Sequence, residues 1–211
     1  MCWSVADQRT GYLSRIIVFT ADGDGSSKTP WESPLDSSYS PQIHFVEEIR
    51  SQGLPLGLIQ RQTGAASSEL DAIGMVKGRF SVLFHADGFR CDVTHLDDSK
   101  RPFIVVHSDA SILDVPAIYR WTGSGFADDC ASHAAYYKKL LADDRQKLPA
   151  ETSAPVLFSL SRVAVLAGDR AVAKSILEKA LARERSKGRE ANPETLQRIT
   201  CMFRSLRGIT H

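Results

Sequence analysis

The chain has 211 residues, of which 26 are basic and 25 acidic, and its hydrophobic share of 43% is sufficient for a folded core. A net charge of +1 gives no overall field that would draw the protein to nucleic acid or to an anionic membrane, so we expect it to bind neither. No apolar run approaches the roughly 20 residues that cross a bilayer, and no membrane span is predicted.

The N-terminal part alternates β-branched or aromatic runs with turn residues, a pattern typical of strands. A first strand is predicted over 12–20. The composition then changes to Ser, Pro, Gly and Asp, which predicts a long loop over 21–41 of the kind that often has a function. Residues 43–50 fit either helix or strand. Pro55 and Gly57 interrupt the apolar run at 54–60, which therefore predicts an edge strand.

Five short apolar segments with intervening turn residues follow and predict an antiparallel meander. They cover residues 70–76, 79–85, 88–94, 103–107 and 117–121. Lys77-Gly78 separates the first two. Ala86-Asp87-Gly88 is interpreted as a tight hairpin turn, because its glycine can adopt a positive φ.

Beyond residue 128 the apolar spacing becomes that of amphipathic helices. Helices are predicted over 128–148, 156–167, 171–185 and from Pro193 to about Leu206. Pro193 suits the first position of the last helix. The paired acids Asp143 and Asp144 are assigned to a solvated helix face. We therefore predict an α+β fold, with a β-rich domain over 1–148 and a helical region over 155–211.

Residues 157–181 resemble a single tetratricopeptide-type helical hairpin. Gly168-Asp169 joins the two helices, and Ala173 and Ala180 are spaced for close helix packing. The proline that this family carries at the end of the hairpin is missing. One repeat cannot form the stacked groove of such proteins. The resemblance therefore implies a helical pair that caps the β-rich part, with a helical adaptor as an alternative.

The runs CDVTHLDDSKRPFIVVHS and IYRWTGSGF give residues 78–145 a resemblance to the FG-GAP-type repeats of bacterial envelope proteins. An aspartate-rich loop often binds calcium in that family, which implies Asp92 and Asp97 as candidate ligands. Lys100 departs from the pattern and disfavours a cation. We therefore expect no cofactor, with calcium as the alternative.

Three histidines near strand ends, His85, His95 and His107, form a candidate transition-metal set together with Asp97, because imidazole suits zinc, copper and nickel. Their spacing matches no metal signature. Ordinary strand-end histidines are therefore the favoured interpretation.

The sequence contains no Gly-rich phosphate loop, GxSxG or HExxH motif. The remaining catalytic candidate is a nucleophilic pair of Cys91 with His95 or His107. The four cysteines include no CxxC pair, and free buried thiols are expected. A bridge between Cys91 and Cys130 is the alternative in an exported protein.

Tyr119, Arg120, Trp121 and Phe126 combine the residue types that dominate protein interfaces. With Trp31 they are the candidate partner-binding residues. They favour a non-catalytic protein-binding module, for which the FG-GAP resemblance implies an inhibitor or immunity-type protein of a bacterial envelope or secretion system.

A small enzyme that uses the Cys/His pair or a His-bound metal is the alternative function. The sequence as read predicts a cytoplasmic protein, or a periplasmic one if an export signal was removed. It leaves the oligomeric state open.

Overall fold

The computed structural model describes residues 2–10, 13–21, 27–32, 39–64, 67–96, 102–108, 114–149 and 151–206. The chain forms two compact units. The β unit comprises Met1–Ala110 and Pro116–Asp128, and the helical unit comprises Ser111–Val115 and Asp129–His211. The α+β fold class predicted from the sequence is confirmed. The division lies before the first helix, whereas the sequence placed it within 149–155.

The described strands of the β unit form three antiparallel sheets. The first contains β1 (Cys2–Thr10), β2 (Leu13–Ala21) and β3 (Ser27–Glu32). The second is a meander of β4 (Tyr39–Ser51), β5 (Leu54–Gly64), β6 (Ser67–Val76) and β7 (Arg79–Gly88). The third has the order β11-β10-β9-β8, with β8 (Arg90–Thr94), β9 (Phe103–His107), β10 (Ala117–Trp121) and β11 (Phe126–Asp128).

Three strand assignments differ from the sequence prediction. No strand was predicted over the residues of β1. The loop predicted over 21–41 contains β3, which pairs with β2. The segment predicted as an edge strand is β5, which lies between β4 and β6. Pro55 is tolerated there because it is the second residue of β5 and pairs with Arg50 beside the turn at the hairpin end, where a missing N–H removes at most one ladder bond.

The hairpin predicted at Lys77-Gly78 is confirmed. Both residues have positive φ, 50° and 74°, as a two-residue type I′ turn requires. The turn predicted at Ala86-Asp87-Gly88 is wrong, because β7 stays paired with β6 through Gly88.

The chain instead bends at Phe89 and passes from the second sheet to the third. Gly88 is the last residue of β7 and pairs with Ser68, whereas Arg90 begins β8 and pairs with His107. The Phe89 N–H donates to the His107 carbonyl oxygen at 2.6 Å. The Ser68 Oγ lies 3.0 Å and 3.1 Å from the carbonyl oxygens of Gly88 and Phe89. The Phe89 N–H and the carbonyl oxygens of Gly88 and Phe89 therefore all have hydrogen-bond partners at the bend.

A core cluster of buried apolar side chains lies between the second and third sheets. Its members are Val46, Ile49, Leu56, Leu58, Leu70 and Ala72 from the second sheet and Ile104 and Val106 from the third. Because side chains alternate along a strand, the intervening residues face away from this cluster. Apolar residues at such positions, among them Ile59, Ile73, Phe103, Val105 and Ile118, are also buried.

The helical unit contains four α-helices among its described residues. They are α1 (Ala134–Lys147), α2 (Ala154–Leu166), α3 (Arg170–Ser186) and α4 (Pro193–Leu206). The last three confirm the predicted helices to within two residues. The first begins six residues later than predicted, because Asp128 ends β11 and Cys130–Ser132 form a short 3-10 helix. The Gly168-Asp169 turn is confirmed: Gly168 has φ +79°, and the Asp169 carboxylate caps α3 by accepting the Val172 N–H at 3.0 Å. Across the described residues, no helix combines the length and the apolar character that a bilayer crossing requires.

The bend at Phe89 gives a stability prediction. A Cβ on Gly88 would lie 2.7 Å from the His107 carbonyl oxygen and 3.0 Å from Val106 Cγ1, so the backbone of β9 would have to move. We expect Gly88→Ala to lower the free energy of unfolding by about 1–3 kcal/mol, as overpacking does. Urea denaturation of the variant and the parent protein measures this difference in the free energy of unfolding.

Gly125→Ala is the matched control, because the nearest atom to its added Cβ is the Leu83 carbonyl oxygen at 3.7 Å. This variant should stay within about 0.5 kcal/mol of the parent protein. Equal stability of the two variants would show that the bend does not constrain residue 88.

Candidate functional site

Four half-buried aromatic side chains pack together at the interface of the second and third sheets, and we call them the aromatic cluster: Phe84, Tyr119, Trp121 and Phe126. The ring centroids are 4.7 Å apart for Phe84–Tyr119 and 5.2 Å apart for both Phe84–Phe126 and Trp121–Phe126. The antiparallel register sets Trp121 directly opposite Phe126. The rings pack on the core cluster and keep part of their surface exposed.

The other two candidate partner-binding residues do not join the aromatic cluster. Arg120 lies between Tyr119 and Trp121 on β10, so strand alternation directs it to the opposite face of the sheet. Trp31 belongs to β3 and pairs with Val18 in the backbone register, but its side chain is outside the described part of the structure.

Three large apolar side chains are also exposed on the chain path from β7 through the bend to β8. Val82 on β7, Phe89 at the bend and Val93 on β8 are 43%, 38% and 41% exposed. Single exposed apolar residues are common on protein surfaces. Val82 is registered opposite Ile73, which faces away from the core cluster, so these residues do not form one surface with the aromatic rings.

A row of paired charged side chains crosses the second sheet on the face opposite the core cluster. Arg61 on β5 donates through Nη2 to the Asp71 carboxylate on β6, and both residues are nearly buried. Asp71 pairs with His85 on β7, with Oδ1 at 2.7 Å from Nδ1. This hydrogen bond raises the pKa of His85, although desolvation opposes the rise. His85 is therefore bound to carboxylates, with Asp87 at 3.5 Å.

The structure does not bring together the predicted Cys91–His107 pair. Cys91 packs against the core cluster and is registered opposite Val106, so the next residue, His107, faces the other side of the sheet. Burial, and secondarily the Asp92 charge, raise the pKa of Cys91 from 9.0 to about 11. A protonated thiol is a poor nucleophile. His95 is exposed just beyond β8.

Most of the metal candidates have other partners or lie outside the described ranges. The Asp92 carboxylate is 3.0 Å from Arg90 Nε and 3.2 Å from His107 Nε2. Asp97 is not among the described residues. Within the described ranges, no three His, Cys, Asp or Glu side chains are grouped in a way that could hold a metal ion. Cys91, in the β unit, and Cys130, in the helical unit, are both free thiols in this structure.

The sequence reasoning missed Asp144. It was assigned to a solvated face, but it is only 5% exposed on α1, and its Oδ2 has no hydrogen-bond partner. Burial raises the pKa of this carboxyl from 3.8 to about 6. The available signal was helical spacing, because Asp144 lies three residues after Leu141 and seven after Tyr137, both of which are buried.

Comparison with known proteins yields no relative: no family model, no curated protein and no solved structure matches this chain. The tetratricopeptide-type and FG-GAP-type resemblances therefore stay predictions from the sequence.

The environment of Cys91 predicts slow alkylation. Because the thiolate is the reactive species, a pKa about two units higher reduces reactivity roughly a hundredfold. Cys201 is the internal control, since it is exposed. Iodoacetamide labelling at pH 8, followed by mass spectrometry of the peptides, should modify Cys201 long before Cys91. Comparable rates would contradict the raised pKa of Cys91, and faster labelling of Cys91 would indicate an activated nucleophile.

The buried Asp144 predicts a stability change that depends on pH. The pKa of Asp144 is higher in the folded state than in the unfolded state. The free energy of unfolding therefore falls as the pH rises from about 4 to 6, and it stays at the lower value above pH 6. We expect Asp144→Asn to raise the free energy of unfolding at pH 7 by about 1–3 kcal/mol, since one pKa unit corresponds to 1.36 kcal/mol.

The control for Asp144 is Asp143→Asn, at an exposed position on the same helix. Denaturant unfolding at pH 3.5 and pH 7 tests both variants. The gain for Asp144→Asn should disappear at the lower pH, where the carboxyl is largely protonated. A gain of the same size at both pH values would contradict the role of charge burial.

Proposed function

We propose that this chain is a non-catalytic protein-binding module that contacts its partner through the aromatic cluster. The supporting observation is that four aromatic rings pack edge to face, or tilted, and still expose part of their surface. Trp and Tyr held rigidly in this way lose little conformational entropy when a partner covers them, and such residues are enriched at binding hot spots.

We propose binding and not catalysis because the Cys and His side chains of the alternative are not placed next to each other. Cys91 and His107 face opposite sides of one sheet, and the raised pKa of Cys91 keeps its thiol protonated. The charged side chains near His85 pair with one another and therefore have a structural role. The aromatic side chains are the proposed contact surface.

The more specific form of the proposal is an inhibitor or immunity-type protein of a bacterial envelope or secretion system. It depends on the FG-GAP-type resemblance of residues 78–145. A protein of this kind is expected to bind one partner stoichiometrically, and the aromatic cluster would supply the central contacts.

The test is affinity capture with the tagged full chain from extracts of the source organism, read by mass spectrometry and followed by Kd measurement with the purified partner. Trp121→Ala and Phe126→Ala should each weaken binding by roughly tenfold or more, since hot-spot truncations cost at least about 2 kcal/mol. Circular dichroism and thermal unfolding confirm that each variant is folded before its Kd is compared.

Tyr136→Ala is the matched control, because it removes a partly exposed aromatic ring from the helical unit. It should leave the Kd unchanged. Equal affinity of Trp121→Ala, Phe126→Ala and the parent protein would disprove the role of the aromatic cluster. The absence of any stoichiometric partner would count against the proposed function itself.

A further inference from the structure

The helical unit contains a cleft of about 560 Å³. It is bordered by the end of α1, by the connection that follows it, and by residues of α2 and α3. Its size lies within the range of about 300–1,000 Å³ that is usual for binding sites. The cleft belongs wholly to the helical unit and is separate from the aromatic cluster.

The lining of this cleft is apolar with basic side chains at several positions. Leu157 and Leu160 of α2 and Ile176 of α3 contribute apolar surface. Arg145, Lys179 and Arg183 contribute the charge, and the described residues that line the cleft include no Asp or Glu. A chain with a net charge of only +1 therefore concentrates three cations beside one apolar surface.

One of these cations is fixed and the other two are available to a ligand. Arg183 Nη1 lies 3.1 Å from the Glu151 carboxylate and donates to the Thr152 carbonyl oxygen at 3.1 Å. Arg145 and Lys179 are exposed, and neither forms an ion pair within the described ranges. Both side chains are therefore accessible to an acidic ligand that enters the cleft.

We propose that this cleft binds an acidic amphipathic helix of a partner protein. The apolar surface suits the Leu-like side chains of one helix face, and Arg145 and Lys179 suit Glu or Asp side chains beside it. A helix laid into an apolar groove is an established mode of recognition. Charge complementarity assigns the sign of the ligand, and the apolar side chains that line the cleft beside these two cations assign its amphipathic character.

The experiment uses the full-length chain and a fluorescein-labelled synthetic peptide of about 18 residues, long enough to form a helix. Its Leu residues recur at i, i+3 and i+4, and Glu flanks them. A matched peptide carries Lys in place of every Glu. Fluorescence anisotropy should show saturable binding of the acidic peptide that weakens with salt, and no binding of the basic peptide.

Substitutions within the cleft localise the binding. Arg145→Gln combined with Lys179→Gln should raise the Kd of the acidic peptide about tenfold. Ala182→Trp, which places a large ring at an exposed lining position, should abolish binding. The matched control is Lys138→Gln combined with Lys174→Gln, which removes the same charge from exposed positions of α1 and α3 outside the cleft. It should leave the Kd unchanged.

Three outcomes would overturn the proposal. These are no binding of the acidic peptide, equal binding of the two peptides, or equal loss of affinity in the cleft and control variants. Decanoate provides a further arm: saturation of the cleft by decanoate with no peptide binding would assign it to small amphipathic anions instead. None of these results bears on the aromatic cluster, so the two proposals fail or stand separately.

Discussion

The β unit depends on the hydrogen-bonded bend at Phe89. The Phe89 N–H donates to the His107 carbonyl oxygen, and the Ser68 hydroxyl lies against the carbonyl oxygens of Gly88 and Phe89. A change of direction inside a strand path leaves backbone groups without ladder partners, and burying them unpaired is costly. These contacts provide hydrogen-bond partners for the backbone groups at the bend. The chain can therefore pass directly from β7, an edge strand of the second sheet, to β8, an edge strand of the third.

This connection also decides which side chains meet. Once β8 pairs with β9 in a fixed register, strand alternation assigns Cys91 to the core side and His107 to the opposite side. The same alternation on β10 brings Tyr119 and Trp121 to the core side, where Phe84 and Phe126 complete the aromatic cluster. A shift of register by one residue would exchange these faces, so the candidate binding surface is a consequence of the strand pairing.

The sequence predicted most of the local features and few of the long-range ones, although the turn predicted at Ala86-Asp87-Gly88 was wrong. Lys77-Gly78, Gly168-Asp169 and Pro193 identified their turns and helix start correctly, because φ preferences and capping act between neighbouring residues. The position of β5 in its sheet, the bend at Phe89 and the separation of Cys91 from His107 depend on pairing between distant segments. For the aromatic cluster, the run 119–126 was visible in the sequence, but Phe84 could be added only when the two sheets were known to pack together.

The local distribution of charge was also not predictable from the sequence composition. A net charge of +1 correctly describes the chain as a whole, but it conceals the local segregation that a binding site requires. Helix packing buries Asp144 at one position of α1 and leaves its neighbour Arg145 at the rim of the cleft. Two adjacent residues of opposite charge thus receive opposite environments, because a rotation of about 100° per residue carries one side chain into the protein and the next toward its surface. Site electrostatics here follows from helix geometry and could not have been obtained from composition.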